Sequence, residues 1–315
     1  MNKSYCLGID TSNYKTSVAV VDMDGTLIHQ AQKFLEVKKG ERGLRQSVAL
    51  FQHVNQLPDL VDQVLANQEI RDHLSVVSAS SKPRPIENSY MPVFNAGVSA
   101  GKMLSSAFGA KYFEFSHQEG HIEAVQFYSA LRHAEEFISF HFSGGTTECL
   151  QITKKNGIDI IGGSKDIAFG QLLDRIGVAM GMDFPCGEEM DFIASSIKPP
   201  KTNVLPPIKV LGGEVNLSGI ETKAQRLVGE ISDDDLVYMI FDRIAEAIVL
   251  MVNQFHTQYG ITQYLFAGGV SSSKFIQNKV KQVLPRSLTI VFGDAALSAD
   301  NAVGIALLGR KQLWP

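Results

Sequence analysis

YCLGIDTSNYKTSVAVVDMDG (residues 5–25) opens with an apolar run that ends at Asp10. It turns through small polar residues, then resumes as an alternating run at 17–21 before a DMDG turn. Alternation of period two bounded by turn residues predicts a β-hairpin with a polar loop at its head. FISFHFSGGTTECLQITKKNG (137–157) repeats the device: a strand, a loop of Ser, Gly and Thr, a second strand and an Asn-Gly turn.

Further strand patterns lie at 74–79, 112–115, 263–267 and 288–292. Helical patterns lie at 44–66, 97–109, 117–132, 169–181, 234–258, 272–284 and 296–308. This mixture predicts an α/β fold, and the repeated hairpin predicts two similar lobes around a cleft. Small residues let backbone N–H groups approach an anion, so the two loops either clasp a polyphosphate or are unrelated tight hairpins. Neither carries the G-x-x-x-x-G-K-[ST] or the G-x-G-x-x-G pattern. In YLFAGGVSSSKF (264–275), Gly268 and Gly269 break a strand, and Ser271 or Ser272 is placed to cap the next helix. Such glycines either admit a base, ribose or phosphate against the backbone or make a sharp turn with positive φ.

The chain has 315 residues, 44% of them apolar, and a formal net charge of -4. That is enough apolar material for two folded domains, and it is neither a disordered nor a strongly basic chain. Net acidity argues against tight non-specific binding of nucleic acid, while leaving room for a local basic patch such as Lys38, Lys39 and Arg42, which also reads as a hydrated loop. Cys6, Cys149 and Cys186 form no C-x-x-C and no framework of pairs, which predicts a reducing compartment. No signal-peptide core opens the chain, and the longest apolar run, AIVLMV (247–252), is too short to cross a bilayer. A soluble, cytoplasmic protein without a membrane partner is expected.

SHQEGHIEAV (116–125) places His117 and His121 four residues apart, on one face of a helix. The spacing is compatible with two imidazole ligands of one ion and equally with an ordinary histidine pair. It is not H-E-x-x-H, because Gln118 takes the glutamate position and Glu119 lies off that face, so peptidase chemistry is poorly supported. A third ligand is available in FGDAALSADNAVGIALLG (292–309), where Asp300 offers a hard oxygen and Asp294 reads as a helix cap. Mixed nitrogen and oxygen ligands suit zinc or ferrous iron.

With these blocks in order, the chain resembles the tRNA threonylcarbamoyladenosine transferase subunit family (TsaD, glycoprotease-like, formerly O-sialoglycoprotein endopeptidase). GIDTSNYKTSVAVVD and FSGGTTECLQI resemble its two phosphate hairpins, and HQEGHIEAV its H-x-E-G-H metal motif. AFGQLLDRIGVAMGMDFPCGEEMD resembles its nucleoside-binding helix and P-G-G loop, and LSGIETKAQ its S-G-L-K-T segment. FAGGVSSSKF and DNAVGIA resemble its last two blocks.

The resemblance implies a two-lobed actin/hexokinase-like (ASKHA) fold with a nucleotide in the cleft. It assigns residues 1–112 and the C-terminal helix 295–315 to one lobe, and 113–294, with the nucleotide- and metal-binding elements, to the other. It implies transfer of a threonylcarbamoyl group from threonylcarbamoyl-AMP to N6 of a tRNA adenosine. The implied ligands are a divalent metal, iron or zinc, on His117, His121 and Asp300, and ATP, AMP or threonylcarbamoyl-AMP as nucleotide. Ser12, Ser143, Gly144 and Gly145 would line the phosphate side; Asp174, Gly187, Gly268, Gly269 and Ser273 would meet the nucleotide. The partners implied are tRNA and either a paralogous subunit or a second copy of the chain.

The chain also departs from the family pattern. Tyr14 and Lys15 stand where the family carries two acidic residues associated with catalysis, and are the catalytic candidates by position. Lys15 either pairs with a phosphate or is a solvated side chain. Cys186 replaces a glycine of the P-G-G loop, Ser273 an asparagine and Gln171 a glutamate. A rim at 80–96 with Lys82, Arg84 and Glu87 replaces a short Gly-Pro-Gly entry. These changes predict a divergent paralogue. They leave open another carbamoyl transferase or phosphotransferase on the same fold, and a non-catalytic nucleotide-binding partner subunit.

Overall fold

The computed structural model describes residues 3–12, 15–37, 44–154, 157–293 and 302–314. Residues 1–128 with 296–315 form one compact unit and residues 129–295 a second.

The first unit begins with β1 (Tyr5–Ser12), β2 (Lys15–Asp22) and β3 (Leu27–Phe34), followed by α1 (Gln46–Val64) and α2 (Gln68–Asp72). Then come β4 (Leu74–Lys82), α3 (Phe94–Phe108), β5 (Lys111–Ser116) and α4 (His117–Phe127). The sheet runs β3-β2-β1-β4-β5. Its first three strands form an antiparallel meander, and β4 and β5 add in parallel. The hairpin read from 5–25 is thus present, with Asp10 paired across to Ser17.

In the second unit β6 (Glu136–Phe142), β7 (Thr147–Thr153) and β8 (Gly157–Ser164) repeat the meander. β9 (Val210–Leu211) and β10 (Glu214–Val215) extend its edge, and β11 (Gln263–Ala267) and β12 (Thr289–Phe292) add in parallel beside β6. The order β12-β11-β6-β7-β8-β10-β9 therefore contains the plan of the first sheet. Helices α5 (Phe169–Ala179), α6 (Gly187–Ser196) and α7 (Ser218–Gln225) occupy an insertion after β8. α8 (Asp233–Tyr259) and α9 (Lys274–Val283) are the crossovers, and α10 (Ala302–Leu313) closes the described chain. The start of α8 carries Asp233, Asp234 and Asp235, which complement the helix dipole, and Gly260 ends it in the left-handed region.

Strand alternation sorts the first sheet into two faces. Leu7, Ile9, Val18, Val20, Val77 and Ala79 pack with Leu57 and Leu60 of α1 and Ala96 of α3. Cys6, Ala19, Val21 and Val76 meet Ala302, Val303, Ala306 and Leu307 of α10. On that second face a Cβ at Gly8 would lie 2.1 Å from the Ala302 carbonyl oxygen. A Cβ at Gly304 would lie 1.8 Å from the Gly120 carbonyl oxygen of α4. The helix thus rests on strand and helix backbone with no side chain between them.

The lobe boundary expected at 112/113 moves to 128/129. β5 ladders onto β4, and α4 packs on α10, so both belong to the first unit. The histidine pair expected in the second lobe therefore lies in the first. α4 also ends at Phe127 rather than 132, and the chain turns through 128–133.

Gly8→Val should displace α10 and cost at least about 1–3 kcal/mol, the range for overpacking a tight site. The expected reading is a lower urea midpoint at unchanged slope.

Candidate functional site

α4 begins with a capping box. Ser116 accepts from the Glu119 amide, and the Glu119 carboxylate accepts from the Ser116 amide at 2.7 Å. Glu119 is thereby committed to the helix start, and His117 and His121 project together. Their ring centres are 4.7 Å apart in an edge-on arrangement. Two imidazoles binding one ion through nitrogens about 2.1 Å away set their ring centres roughly 4.6–5.3 Å apart at angles of about 90–110°. The ring spacing is compatible with two imidazole ligands of one divalent ion. Among the described residues no group of three or more His, Cys, Asp or Glu is placed to hold a metal. Asp300 and Asp294 lie outside those residues, as do Tyr14, Lys38, Lys39 and Arg42.

A residue that sequence reading passed over stands beside the pair. The His117 Nδ1 lies 3.0 Å from Oδ1 of Asp10, which is 2% exposed. The other oxygen, Oδ2, accepts from the Ser12 hydroxyl at 2.7 Å and the Ser12 amide at 3.3 Å. Burial alone would raise the Asp10 carboxyl. The His117 charge and the bonds from His117 and Ser12 reverse this and hold it well below the usual carboxylate range. Ser12, expected at a phosphate, thus turns its hydroxyl onto Asp10. The only sequence signal for Asp10 is a lone acid at the end of an apolar strand.

Phe94 packs near His117 with ring centres 6.0 Å apart. The divergent rim is fastened here too: the Gln118 amide donates to the Pro83 carbonyl, and the Arg84 amide to Ser89 Oγ. Lys15 donates from Nζ to Gln32 Oε1 at 2.9 Å and lies 5.4 Å from the Phe34 ring centre.

The second unit gathers most of the other candidates. The Ser143 amide donates to the Thr146 carbonyl, and the Thr146 amide to Ser143 Oγ, closing the turn at the head of β6–β7. Gly144 and Gly145 have open space where side chains would stand. The start of α5 is pressed against this turn: a Cβ at Gly170 would lie 2.4 Å from the Gly144 Cα, and the Phe169 amide donates to Thr147 Oγ1. From the side of β11, Gly268, at φ 94°, would strike the Phe142 carbonyl with any side chain. A glycine turn and a helix N-terminus thus meet, an arrangement suited to an anion.

Three departures from the family pattern find physical explanations here. Gln171 accepts the Ala168 amide at 3.0 Å, the capping bond a glutamate would make, without the charge. Cys186 is fully buried and directed into the core, with Sγ 3.4 Å from the Asp183 carbonyl oxygen. Gly177 provides its room, since a Cβ there would stand 2.4 Å from that of Cys186. Cys186 thus fills space in the core. Ser273 is the N-cap of α9: it accepts from Ile276, and its hydroxyl donates to Asp191.

Asp174 Oδ1 accepts the Cys186 amide at 2.9 Å and so holds the start of α6, where Gly187 faces open space. Burial raises the Asp174 carboxyl, partly offset by that bond. Burial likewise pushes the Cys6 thiol up to about 12 and raises Cys149 and Cys186. All three cysteines are buried and free, in keeping with packing.

The repeated meander with parallel additions places the protein in the actin/hexokinase-like class of α/β folds. HypF from T. kodakarensis superposes with a TM-score of 0.64 at 12% identity, covering 99% of this chain and 48% of that one. A ROK family glucokinase from Streptomyces griseus, solved with glucose and AMPPNP, superposes at 0.54 and 11% identity, covering 98% and 100%. These likenesses carry the fold alone. The profile of the TsaD family, tRNA N6-adenosine threonylcarbamoyltransferase, matches residues 28–307, and the chain belongs to that family. It is similar to the enzyme of that name from Prochlorococcus marinus subsp. pastoris, 25% identical over 98% of this chain and 89% of that protein. The Geobacillus thermodenitrificans protein is likewise 25% identical, over 98% and 92%. Among the described residues no helix is long and apolar enough to cross a membrane.

Gly177→Ala should destabilise the chain by about 1–3 kcal/mol through collision with Cys186. In a Cys186→Gly background the same change should be nearly neutral or stabilising, since alanine favours a helix over glycine by about 1 kcal/mol. A double-mutant denaturation cycle reads the difference.

Proposed function

We propose that this protein is a tRNA N6-adenosine threonylcarbamoyltransferase that uses threonylcarbamoyl-AMP as donor. The observation that carries the reading is the family match across residues 28–307. The adenine N6 amine attacks the carbamoyl carbon of the mixed anhydride, the bond from that carbon to the phosphate oxygen breaks, and AMP leaves with the amine losing a proton. No covalent enzyme nucleophile is required, which agrees with three buried, raised thiols.

In the second unit, the turn at Ser143, Gly144 and Gly145 with the first amides of α5 binds the phosphate. Gly268 and Gly269 let the nucleotide lie against backbone. Asp174, with Oδ1 engaged by Cys186, accepts a ribose hydroxyl through its other oxygen, beside Gly187. Ser12 and Ser273 act by fixing Asp10 and the start of α9 rather than by touching the nucleotide.

In the first unit, His117 and His121 hold a divalent iron or zinc ion with Asp300 as the third ligand. Asp300 precedes Ala302 by two residues, and α10 meets α4 at Gly120, between the two histidines. When bound, the ion supplies Lewis-acid stabilisation of negative charge that develops on oxygen. Lys15 contributes a positive charge next to Ser12, replacing the acid of the family pattern. The tRNA is the acceptor. A paralogous subunit or a second copy is the remaining partner, and the cytoplasm is the place of work.

The test is product formation from threonylcarbamoyl-AMP and unmodified tRNA. The wild-type chain, with its partner subunit where one is required, should modify the tRNA. His117→Ala and His121→Ala should each lose metal and at least about 100-fold in rate while keeping the fold; the loss of one oxyanion stabiliser costs on that order. Chelation of the wild type should mimic them. Full activity after complete metal removal would overturn the metal's role, and absence of product with every partner present would overturn the transferase reading.

A further inference from the structure

Asp10 is a buried carboxylate that the transfer reaction leaves without a task. We propose that it is a positioning residue for the metal site: it locks the His117 imidazole in the tautomer and orientation that present Nε2 to the ion shared with His121. This rests on reading the two histidines as ligands.

An ionised carboxylate has acceptors only, so the His117 nitrogen 3.0 Å from Asp10 Oδ1 carries the proton. In a neutral imidazole the lone pair then belongs to Nε2. The carboxylate itself cannot swing, because Oδ2 is tied to the Ser12 hydroxyl and amide. Strand alternation places Asp10 on the same face of β1 as Gly8, against which α10 rests. The same docking that seats α10 therefore aims the carboxylate at α4. The Phe94 ring flanks the imidazole, and His121 meets it edge-on at 4.7 Å.

Two alternatives are less well supported. A general base needs access to substrate, and Asp10 is 2% exposed with both oxygens engaged. A purely structural contact would not need a carboxylate held by Ser12 against one particular nitrogen of His117. Carboxylate–histidine–metal arrangements fix both tautomer and ring angle, and loss of the outer partner costs about 10–100-fold in metal affinity.

The experiment combines two readings on the full-length chain. Long-range 1H–15N spectra of metal-free, 15N-histidine protein should show His117 as a single Nδ1–H tautomer. Asp10→Asn, which can present either an acceptor or a donor, should lose that single form. Co2+ titration should then show Asp10→Asn binding about 10–100-fold more weakly than wild type. His117→Ala should be weaker still, all with circular dichroism of a folded protein. Wild-type affinity in a folded Asp10→Asn overturns the role of Asp10 and leaves the ligand assignment standing. No Co2+ binding by the wild type overturns both. Should Asp10→Asn fail to fold, the wild-type spectrum decides: a His117 without a proton on Nδ1 overturns the proposal.

Discussion

The seating of α10 directly on backbone governs the first unit. A helix normally stands about 8–10 Å from its neighbour because side chains intervene. At Gly8 and at the Gly120–Gly304 crossing there is no space for a Cβ. This contact fixes where β1 ends relative to α4, and so sets Asp10 against His117. The glycine in H-Q-E-G-H is thus a packing requirement, and the glutamate before it a capping requirement.

The second unit is organised by carboxylates that hold helix starts. Asp166 accepts the amides of Leu217 and Ser218 at the head of α7. Asp174 holds the Cys186 amide at the head of α6, and Asp191 holds Lys274 and Phe275 at the head of α9. Burial would raise Asp166, but its bonds to Leu217, Ser218 and Ile167 bring it well below the usual range. The chain just before Gly187 and the chain after Gly268 are therefore each held by a carboxylate, Asp174 and Asp191. Glycines at such points contribute space, and the acids contribute rigidity.

Much of this architecture was legible. The two hairpins announced themselves by alternation and turn residues, and the duplicated sheet order confirms that reading within each unit. Long amphipathic segments such as α1, α5 and α8 were read to within a few residues. Polar edge strand β3 (LIHQAQKF) was missed because its alternation is blurred by Gln and Lys. The short helices α6 and α7 were missed as well, since few of their residues are buried. At the site, the histidine spacing was readable but not its partner Asp10, because pairing across 107 positions leaves no local pattern. The bond from the Ser273 hydroxyl to Asp191, across 82 positions, was hidden for the same reason. A motif position says which residue is there, not whether it points into a core or toward a ligand.

The first unit is discontinuous: its sheet is built from the beginning of the chain, yet one face is covered by residues 302–313. Domains of a nascent polypeptide generally fold in the order in which they emerge from the ribosome. Here that order is inverted. The second unit is a continuous stretch and can be completed first, while the opening strands wait with Cys6, Ala19, Val21 and Val76 uncovered until the last helix is synthesised.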